Sequence, residues 1–152
     1  MAVMAAIGKI EGMTGMPGYE RFRLILKWVL VVFYLTAGIF HVAWPQPFLK
    51  ITPDWVPMPE LVIFVTGVCE IAGAIGLLRP AVARSAGIGL ALYAIAVFPA
   101  NIKHAMLDLS SAQPMLGLWY HIPRFLLQPL LVWAALFASS IVTWPFDRKS
   151  VN

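Results

Sequence analysis

The sequence predicts an all-α membrane protein: a polytopic four-helix bundle with both termini cytoplasmic. Of its 152 residues, 61% are hydrophobic and 12% are charged, whereas a soluble domain is about half apolar and about a quarter charged. A helix needs about 20 apolar residues to cross the hydrocarbon core of a bilayer. Four stretches approach or exceed that length, at 28–49, 61–78, 85–102 and 125–146. They use most of the chain and leave no room for a soluble domain.

The positive charges predict how the spans are oriented, because Lys and Arg near span ends are retained in the cytoplasm. Eight of the eleven fall before the first span, in the connection between the second and third, or after the fourth: Lys9, Arg21, Arg23, Lys27, Arg79, Arg84, Arg148 and Lys149. The loops near 45–59 and 103–123 are therefore expected to face outwards. No basic run is long enough for a nucleic-acid tail, so the predicted partner is the lipid bilayer.

Three segments follow from this pattern. Residues 1–22 are expected to be a loose cytoplasmic or interfacial segment, since they lack the charged-then-apolar order of a cleavable signal peptide. Residues 23–146 form the transmembrane domain, and 147–152 form a cytoplasmic tail. The predicted spans cover about 24–43, 60–78, 82–106 and 123–143. The first ends at Trp44-Pro45, because proline disfavours helix in the residue before it.

The segment after the first span is rich in proline. Five prolines lie between residues 44 and 59, with Trp44, Phe48 and Trp55 among them. Proline restricts the backbone and Trp favours the membrane interface, which predicts a stiff cover on the outer face. Two interpretations stay open, a rigid tether between spans and a lid over a site.

The second span holds the first functional candidate, Glu70. A charged side chain at the bilayer centre costs roughly 2.5 to 3.5 kcal/mol on insertion scales, and Glu70 is expected roughly 15 Å deep. Gly67, Gly73 and Ala74 share its helix face and allow a neighbouring helix to approach. Glu70 should therefore point into the bundle, as a proton relay or as a protonated acid hydrogen-bonded to the third span or to Tyr93. Its neighbour Cys69 is expected to be a buried, inert thiol.

Further polar residues occur near the outer ends of the other spans. Pro99 should kink the third span and leave a carbonyl in need of a new partner. The predicted ligand-binding set, with Glu70 at its floor, is Tyr34, His41, Asn101, His104, Arg124 and Gln128. Each has a simpler interpretation: His41 and His104 in the wet headgroup zone, Arg124 snorkelling to the interface, Gln128 tying two helices together. His121 is expected at the interface.

Few features of the sequence indicate a metal site or nucleophilic catalysis. No HxxxH or HExxH spacing occurs, so any metal ligands would have to come from different helices. A haem held by His41 and His104 is conceivable on these grounds, and no metal site is predicted. No good nucleophile is predicted either, since Ser110 and Ser111 fall in a loop and Ser139 and Ser140 at the cytoplasmic end of the fourth span, far from His41.

Several phrases together resemble one family. They are Gly38-Ile-Phe-His41 with Pro45 and Phe48, the Pro53-Asp-Trp-Val-Pro57 loop, Gly67-Val-Cys-Glu70 with its continuation to Leu78, Val97-Phe-Pro-Ala-Asn101, and Arg124-Phe-Leu-Leu-Gln128. Over about residues 25–145 the chain is similar to the DoxX-like family of small four-helix bacterial membrane proteins. The resemblance implies a bacterial inner-membrane location and an association with thiosulfate and quinone redox chemistry, resistance to oxidative stress or, in an animal branch, receptor assembly.

The expected function is therefore a quinone-associated or redox-accessory membrane subunit. A quinone would bind in the polar pocket and exchange protons with Glu70, because a desolvated carboxyl suits proton transfer. Electrons would come from a redox or other membrane-protein partner, since no electron carrier is visible in the sequence. The alternatives are a non-enzymatic assembly or structural subunit and, less favoured, proton-coupled transport of a small solute, for which homo-oligomers would be needed to enclose enough volume.

Overall fold

The computed structural model describes residues 16–146, and across them it is all-helical. The elements in chain order are α1 (Gly18–Ala43), α2 (Gln46–Ile51), α3 (Pro59–Leu77), α4 (Ala83–Ala96), α5 (Phe98–Leu109) and α6 (Gly117–Ala138). Taking α4 and α5 as one span, four helices are long and apolar enough to cross a membrane. The predicted all-α fold with four membrane-length helices is confirmed. The tail at 147–152 and most of the predicted N-terminal segment lie outside the described residues.

The starts of two spans differ by several residues from their predicted positions. The first begins at Gly18 rather than residue 24, directly after Pro17, so Arg21 and Arg23 lie within the helix. The fourth begins at Gly117 rather than 123. The carboxylate of Asp108 accepts hydrogen bonds from the free backbone N–H groups of that helix start, 3.0 Å from Met115 N and 2.8 Å from Gly117 N. An acceptor at a helix N-terminus stabilises it, so the helix forms before Pro123.

The third span is interrupted at Val97, two residues before Pro99. Proline has no N–H and its ring crowds the preceding turn, so the regular hydrogen-bond ladder stops there. The carbonyl of Ala94 accepts a hydrogen bond from Gln128 Nε2 on α6. The expectation that a carbonyl freed by the kink needs a new partner is confirmed, and that partner is a side chain of the fourth span.

The closest packing of two helices is between α1 and α3. A Cβ atom added at Gly38 would lie 2.6 Å from the carbonyl oxygen of Gly67, and one added at Gly67 would lie 2.9 Å from Gly38 O. The two backbones are therefore in direct contact, as small residues permit at helix interfaces in membranes. Gly73, one turn beyond Glu70, packs instead against Leu90 of α4. The predicted small-residue face of α3 thus serves two neighbours.

The first and last described residues meet at one end of the bundle. The rings of Tyr19 and Phe146 lie 6.1 Å apart, and Arg23 Nε donates to the carbonyl of Phe137 at 3.1 Å. We call this the terminal end, and the opposite end, which carries residues 44–58 and 110–116, the loop end. The meeting of Tyr19 and Phe146 at one end agrees with four crossings, while the side of the membrane on which the termini lie stays a prediction.

One prediction about α3 is wrong. The Cys69 thiol is exposed on the surface of the bundle, not buried. Adjacent helical residues point about 100° apart, and Glu70 is 3% exposed and faces inwards. Its neighbour Cys69 is thereby directed towards the apolar outer surface, where many large hydrophobic side chains also lie.

Candidate functional site

A cavity of about 440 Å³ lies in the half of the bundle nearer the loop end. All four spans and the proline-rich segment contribute to its walls, which are mostly apolar. Six of the seven residues predicted for the site line it: Tyr34, His41, Glu70, Asn101, Arg124 and Gln128. His104 does not. The sequence pattern therefore identified residues of four spans that line one cavity. The roles assigned to these residues stay predictions.

The cavity contains a buried acid–histidine pair. Glu70 Oε2 on α3 contacts His41 Nδ1 on α1, and the two residues are 3% and 9% exposed. Each residue lies three positions after the glycine, Gly67 or Gly38, at which the two backbones touch. Residues three apart share a helix face, so the glycine contact holds the two side chains against each other. A histidine beside the acid compensates a charge that the apolar surroundings would otherwise disfavour.

The proline-rich segment covers this pair. It contains the short helix α2, which the sequence did not predict, and the ring of Phe48 on that helix lies 3.9 Å from the ring of His41 between centroids. Lys103 Nζ of α5 anchors the segment through two hydrogen bonds of 2.7 Å, to Thr52 O and Asp54 Oδ1. Since Phe48, Thr52 and Trp55 also line the cavity, this geometry favours the lid over the simple tether.

A second polar group ties α6 to the break in the third span. Asn101 Nδ2 donates to Gln128 Oε1 at 2.8 Å, and Gln128 Nε2 donates to Ala94 O. Both side chains are buried. Gln128 therefore satisfies the kink and orients Asn101, which is the helix-tying arrangement considered as the simpler interpretation of its sequence position.

The remaining predicted residues form a cluster beside the cavity. Arg124 Nη1 donates to His104 Nδ1 at 2.7 Å and to the Tyr120 hydroxyl at 2.9 Å. His121, expected at the interface, is instead 1% exposed, and its Nε2 lies 3.2 Å from Asp108 Oδ2. The His121 side chain therefore packs against α5 inside the bundle, and its depth relative to the membrane interface stays a prediction.

The cavity also presents an unsatisfied donor. The hydroxyl of Tyr34 is buried and has no hydrogen-bond partner among the described residues, and the residue as a whole is 1% exposed. Its ring packs edge-on against Tyr93 at 6.3 Å. A buried polar group normally has a protein or water partner, so the Tyr34 hydroxyl, on a residue that lines the cavity, is a donor available to water or to a bound acceptor.

Residues 30–139 match the domain family described as "Domain of unknown function (DUF8561)". The chain belongs to the DUF8561 family. Neither a curated protein nor a solved structure matches it. The resemblance to the DoxX-like family is therefore wrong as an assignment. The phrases that carried it are small residues at helix contacts and the polar residues they bring together, such as Gly38 with His41, and packing alone can select such patterns.

This DUF8561 chain offers no cluster for a metal within residues 16–146: no three His, Cys, Asp or Glu side chains converge there. His41 lines the cavity and His104 does not, so the structure does not bring together the pair considered for haem. Sequence reasoning missed the roles of Phe48 and Lys103. The mostly apolar run Phe48-Leu-Lys-Ile51 inside the proline-rich segment could have indicated that Phe48 packs against the bundle. No sequence pattern indicated the role of Lys103.

Proposed function

We propose that this chain is a multi-pass membrane protein that binds a small amphipathic molecule in the cavity and exchanges a proton with it. The observation that carries the proposal is the convergence of the His41–Glu70 pair and the unpaired Tyr34 hydroxyl on one apolar cavity. Pockets of roughly 300–1,000 Å³, mostly apolar with a few directed polar groups, are typical of small-ligand sites. The ligand class we favour is a quinone.

The chemistry of a quinone suits the groups present. Its carbonyl oxygens are acceptors, for which the Tyr34 hydroxyl is an available donor, and its ring suits the aromatic and aliphatic walls. Reduction to the quinol adds two electrons and two protons. A separate redox protein or soluble reductant would supply the electrons. His41 has no hydrogen-bond partner at Nε2 among residues 16–146, so one proton can pass from this nitrogen to the quinone oxygen. A protonated Glu70 gives its own proton to Nδ1 in the same step and becomes a carboxylate, and the second proton of the quinol can come from water.

The test separates binding from proton transfer. The full chain in nanodiscs is titrated with a short-chain quinone, and quinol formation by a soluble reductant is followed in stopped flow. Tyr34→Phe should weaken quinone binding roughly three- to tenfold, as expected for one lost hydrogen bond. Glu70→Gln should bind but slow quinol formation by about a hundredfold, since general acid catalysis contributes that much or more.

A matched control is Glu60→Gln, which removes an exposed carboxylate at the start of α3, outside the cavity. It should leave both binding and rate unchanged. Equal rates for wild type and Glu70→Gln would contradict the relay, and unchanged binding by Tyr34→Phe would contradict the assigned donor.

The second candidate function is a non-enzymatic assembly or structural subunit. The pairing of Glu70 with His41, and of Asn101 with Gln128, favours it, because both pairs join different helices and are satisfied within the fold. For such a subunit the quinone titration would show no saturable binding, and Glu70→Gln would lower its recovery with a partner complex. We also propose that the membrane is the bacterial inner membrane.

A further inference from the structure

A second pocket, of about 340 Å³, lies at the terminal end. It is formed by α1, by the connection into α4 and by the residues that end α6. Its polar lining consists of two cations, Lys27 and Arg84, and two hydroxyls, Ser139 and Ser140. No sequence pattern pointed to these four residues as a group, and the quinone proposal does not use them. We call this the basic pocket.

The two cations of the basic pocket have no internal counterpart. Within residues 16–146 neither Lys27 nor Arg84 forms a hydrogen bond or an ion pair, and no carboxylate lines the pocket. Cations at the surface of a bundle can be solvated, but Lys27 is half-buried. Arg84 also lies in the first turn of α4, which has no acidic residue and no side-chain cap. The positive end of a helix dipole adds to the same excess of positive charge.

The negative end of α6 does not pair with them, because three of its last four carbonyls already accept hydrogen bonds from other groups. Ala135 O accepts from Ser139 N and Oγ, Leu136 O accepts from Ile141 N at 2.9 Å, and Phe137 O accepts from Ser140 N and Arg23 Nε. These bonds satisfy the groups with which a cation at a helix C-terminus would pair. The charges of the basic pocket therefore remain available to a bound anion.

Ser140 has a backbone conformation that favours glycine. Its φ is +61°, and the bonds from Ser140 N to Phe137 O and from Ile141 N to Leu136 O form a Schellman motif, in which the residue at this position is usually glycine. A side chain there costs stability. Strained residues concentrate at binding sites. A role of the Ser140 hydroxyl in the basic pocket would therefore explain why serine, and not glycine, occupies this position.

Gly87 allows the end of α6 to pack closely against α4 beside the basic pocket. A Cβ atom at position 87 would collide with Ser139 Oγ and would lie 2.8 Å from Ala135 O. The end of α6 therefore packs directly on the backbone of α4, one turn after Arg84. This contact brings the two serines to the cations, which are supplied by different helices.

We propose that the basic pocket binds a phosphate group, carried by the headgroup of an anionic membrane lipid. Basic pockets between helices, at the level of the headgroups, are suited to such lipids. Lys27, in the third turn of α1, Arg84, in the first turn of α4, and Ser140, just after α6, lie together on the terminal side of the spans, towards the headgroups. Two cations and the Ser140 hydroxyl match the charge and the acceptor oxygens of a phosphate, while the Ser139 hydroxyl already donates to Ala135 O.

The test measures the midpoint of thermal unfolding, Tm, of the full chain in a zwitterionic detergent as a ligand is added. The probes are dioctanoyl phosphatidic acid, dioctanoylglycerol, which lacks the phosphate, and inorganic phosphate. Phosphatidic acid should raise Tm, because a ligand that binds only the folded state stabilises it, and dioctanoylglycerol should not. The double variant Lys27→Gln/Arg84→Gln should bind phosphatidic acid about 25-fold more weakly, the value expected for two charges near a membrane surface.

Arg79→Gln is the matched control, since it removes an exposed positive charge at the same end without touching the basic pocket. Its response should stay within twofold of wild type. Inorganic phosphate that is much weaker than phosphatidic acid assigns the site to a lipid, and equal potency assigns it to a free phosphate. A response that survives in the double variant, is lost equally in Arg79→Gln, or is absent from wild type would overturn the proposal.

Discussion

The cavity and the basic pocket differ in whether their polar side chains have partners within the protein. In the cavity, Glu70 is buried against His41, and Gln128 bonds both Asn101 and the Ala94 carbonyl. In the basic pocket, Lys27 and Arg84 have no such partners. Polar residues that compensate one another can stabilise a fold without any ligand, whereas the uncompensated cations of the basic pocket are available to one.

The comparison also holds within the cavity. Its paired groups come from facing helices and can be explained by packing alone. The Tyr34 hydroxyl is the exception, since it is buried and unpaired, and the binding proposal therefore depends on it more than on Glu70. Each site accordingly has a set of residues that maintains its shape and a smaller set that is left for a ligand.

The largest expected effect comes from separating the pair in the cavity. Glu70→Leu or His41→Leu alone should lower the free energy of unfolding by about 3 kcal/mol, because the remaining polar partner is left buried and uncompensated. The double variant should lose less than the sum of the two. Equilibrium unfolding in mixed micelles measures all three. Glu60→Leu, an exposed carboxylate, should change stability by less than about 0.5 kcal/mol, and strictly additive single effects would contradict the pairing.

The next effect tests the helix contact that holds the pair together. Gly38→Ala would place a Cβ atom 2.6 Å from Gly67 O and 2.8 Å from Ile71 Cγ1. Since backbone cannot move aside cheaply, we expect a loss of about 1–3 kcal/mol. The same substitution at Gly89, where a Cβ atom meets nothing within 4 Å, should be neutral or stabilise by up to about 1 kcal/mol. Equal effects of the two substitutions in unfolding experiments would show that α1 and α3 are not in backbone contact.

A smaller effect concerns the proline-rich segment, for which a role as a lid stays a proposal. Lys103→Met removes both hydrogen bonds from α5 to the proline-rich segment, and about 1 kcal/mol of local stability should be lost. Amide hydrogen exchange should become faster at Phe48 and Thr52, with little change in α3. Lys50→Met, which removes an exposed cation that forms no hydrogen bond within the described residues, should leave exchange unchanged. Unaltered exchange in Lys103→Met would show that other contacts hold the lid.

The smallest effect has the opposite sign for stability and for binding. Ser140→Gly relieves the left-handed backbone at φ +61° and should raise stability by roughly 0.5–1 kcal/mol. It also removes a hydroxyl from the basic pocket, so affinity for dioctanoyl phosphatidic acid should fall about threefold. Thermal unfolding with and without this lipid measures both values. A variant that is more stable and binds equally well would remove Ser140 from the site.

Much of the fold could be predicted because it follows from composition. Apolar runs of membrane length predict the number of spans, Pro99 predicts the interruption of the third, and the spacing of Gly67 to Glu70 predicts which face of α3 is buried. Helix ends were predicted less well. The start of α6 depends on Asp108, a residue nine positions before Gly117, and only the folded chain brings the two together.

The pairings within the site could not be predicted for a similar reason. His41 and Glu70 were both recognised as candidates, each on a face with a glycine three residues earlier, but the register of α1 on α3 decides that they touch. The basic pocket depends on three helix ends and on the conformation of Ser140. Sequence periodicity describes one helix face at a time, so it cannot predict a site that is formed by residues from several helices.

The most direct test of the contrast between paired and unpaired groups is native mass spectrometry of the full chain released from nanodiscs that contain phosphatidic acid and a short-chain quinone. Two separate adducts are predicted. Tyr34→Phe should reduce the quinone adduct and keep the lipid adduct, while Lys27→Gln/Arg84→Gln should do the reverse. Adducts that fall together in both variants, or a wild-type chain that carries neither, would contradict the claim that unpaired groups mark two independent binding sites.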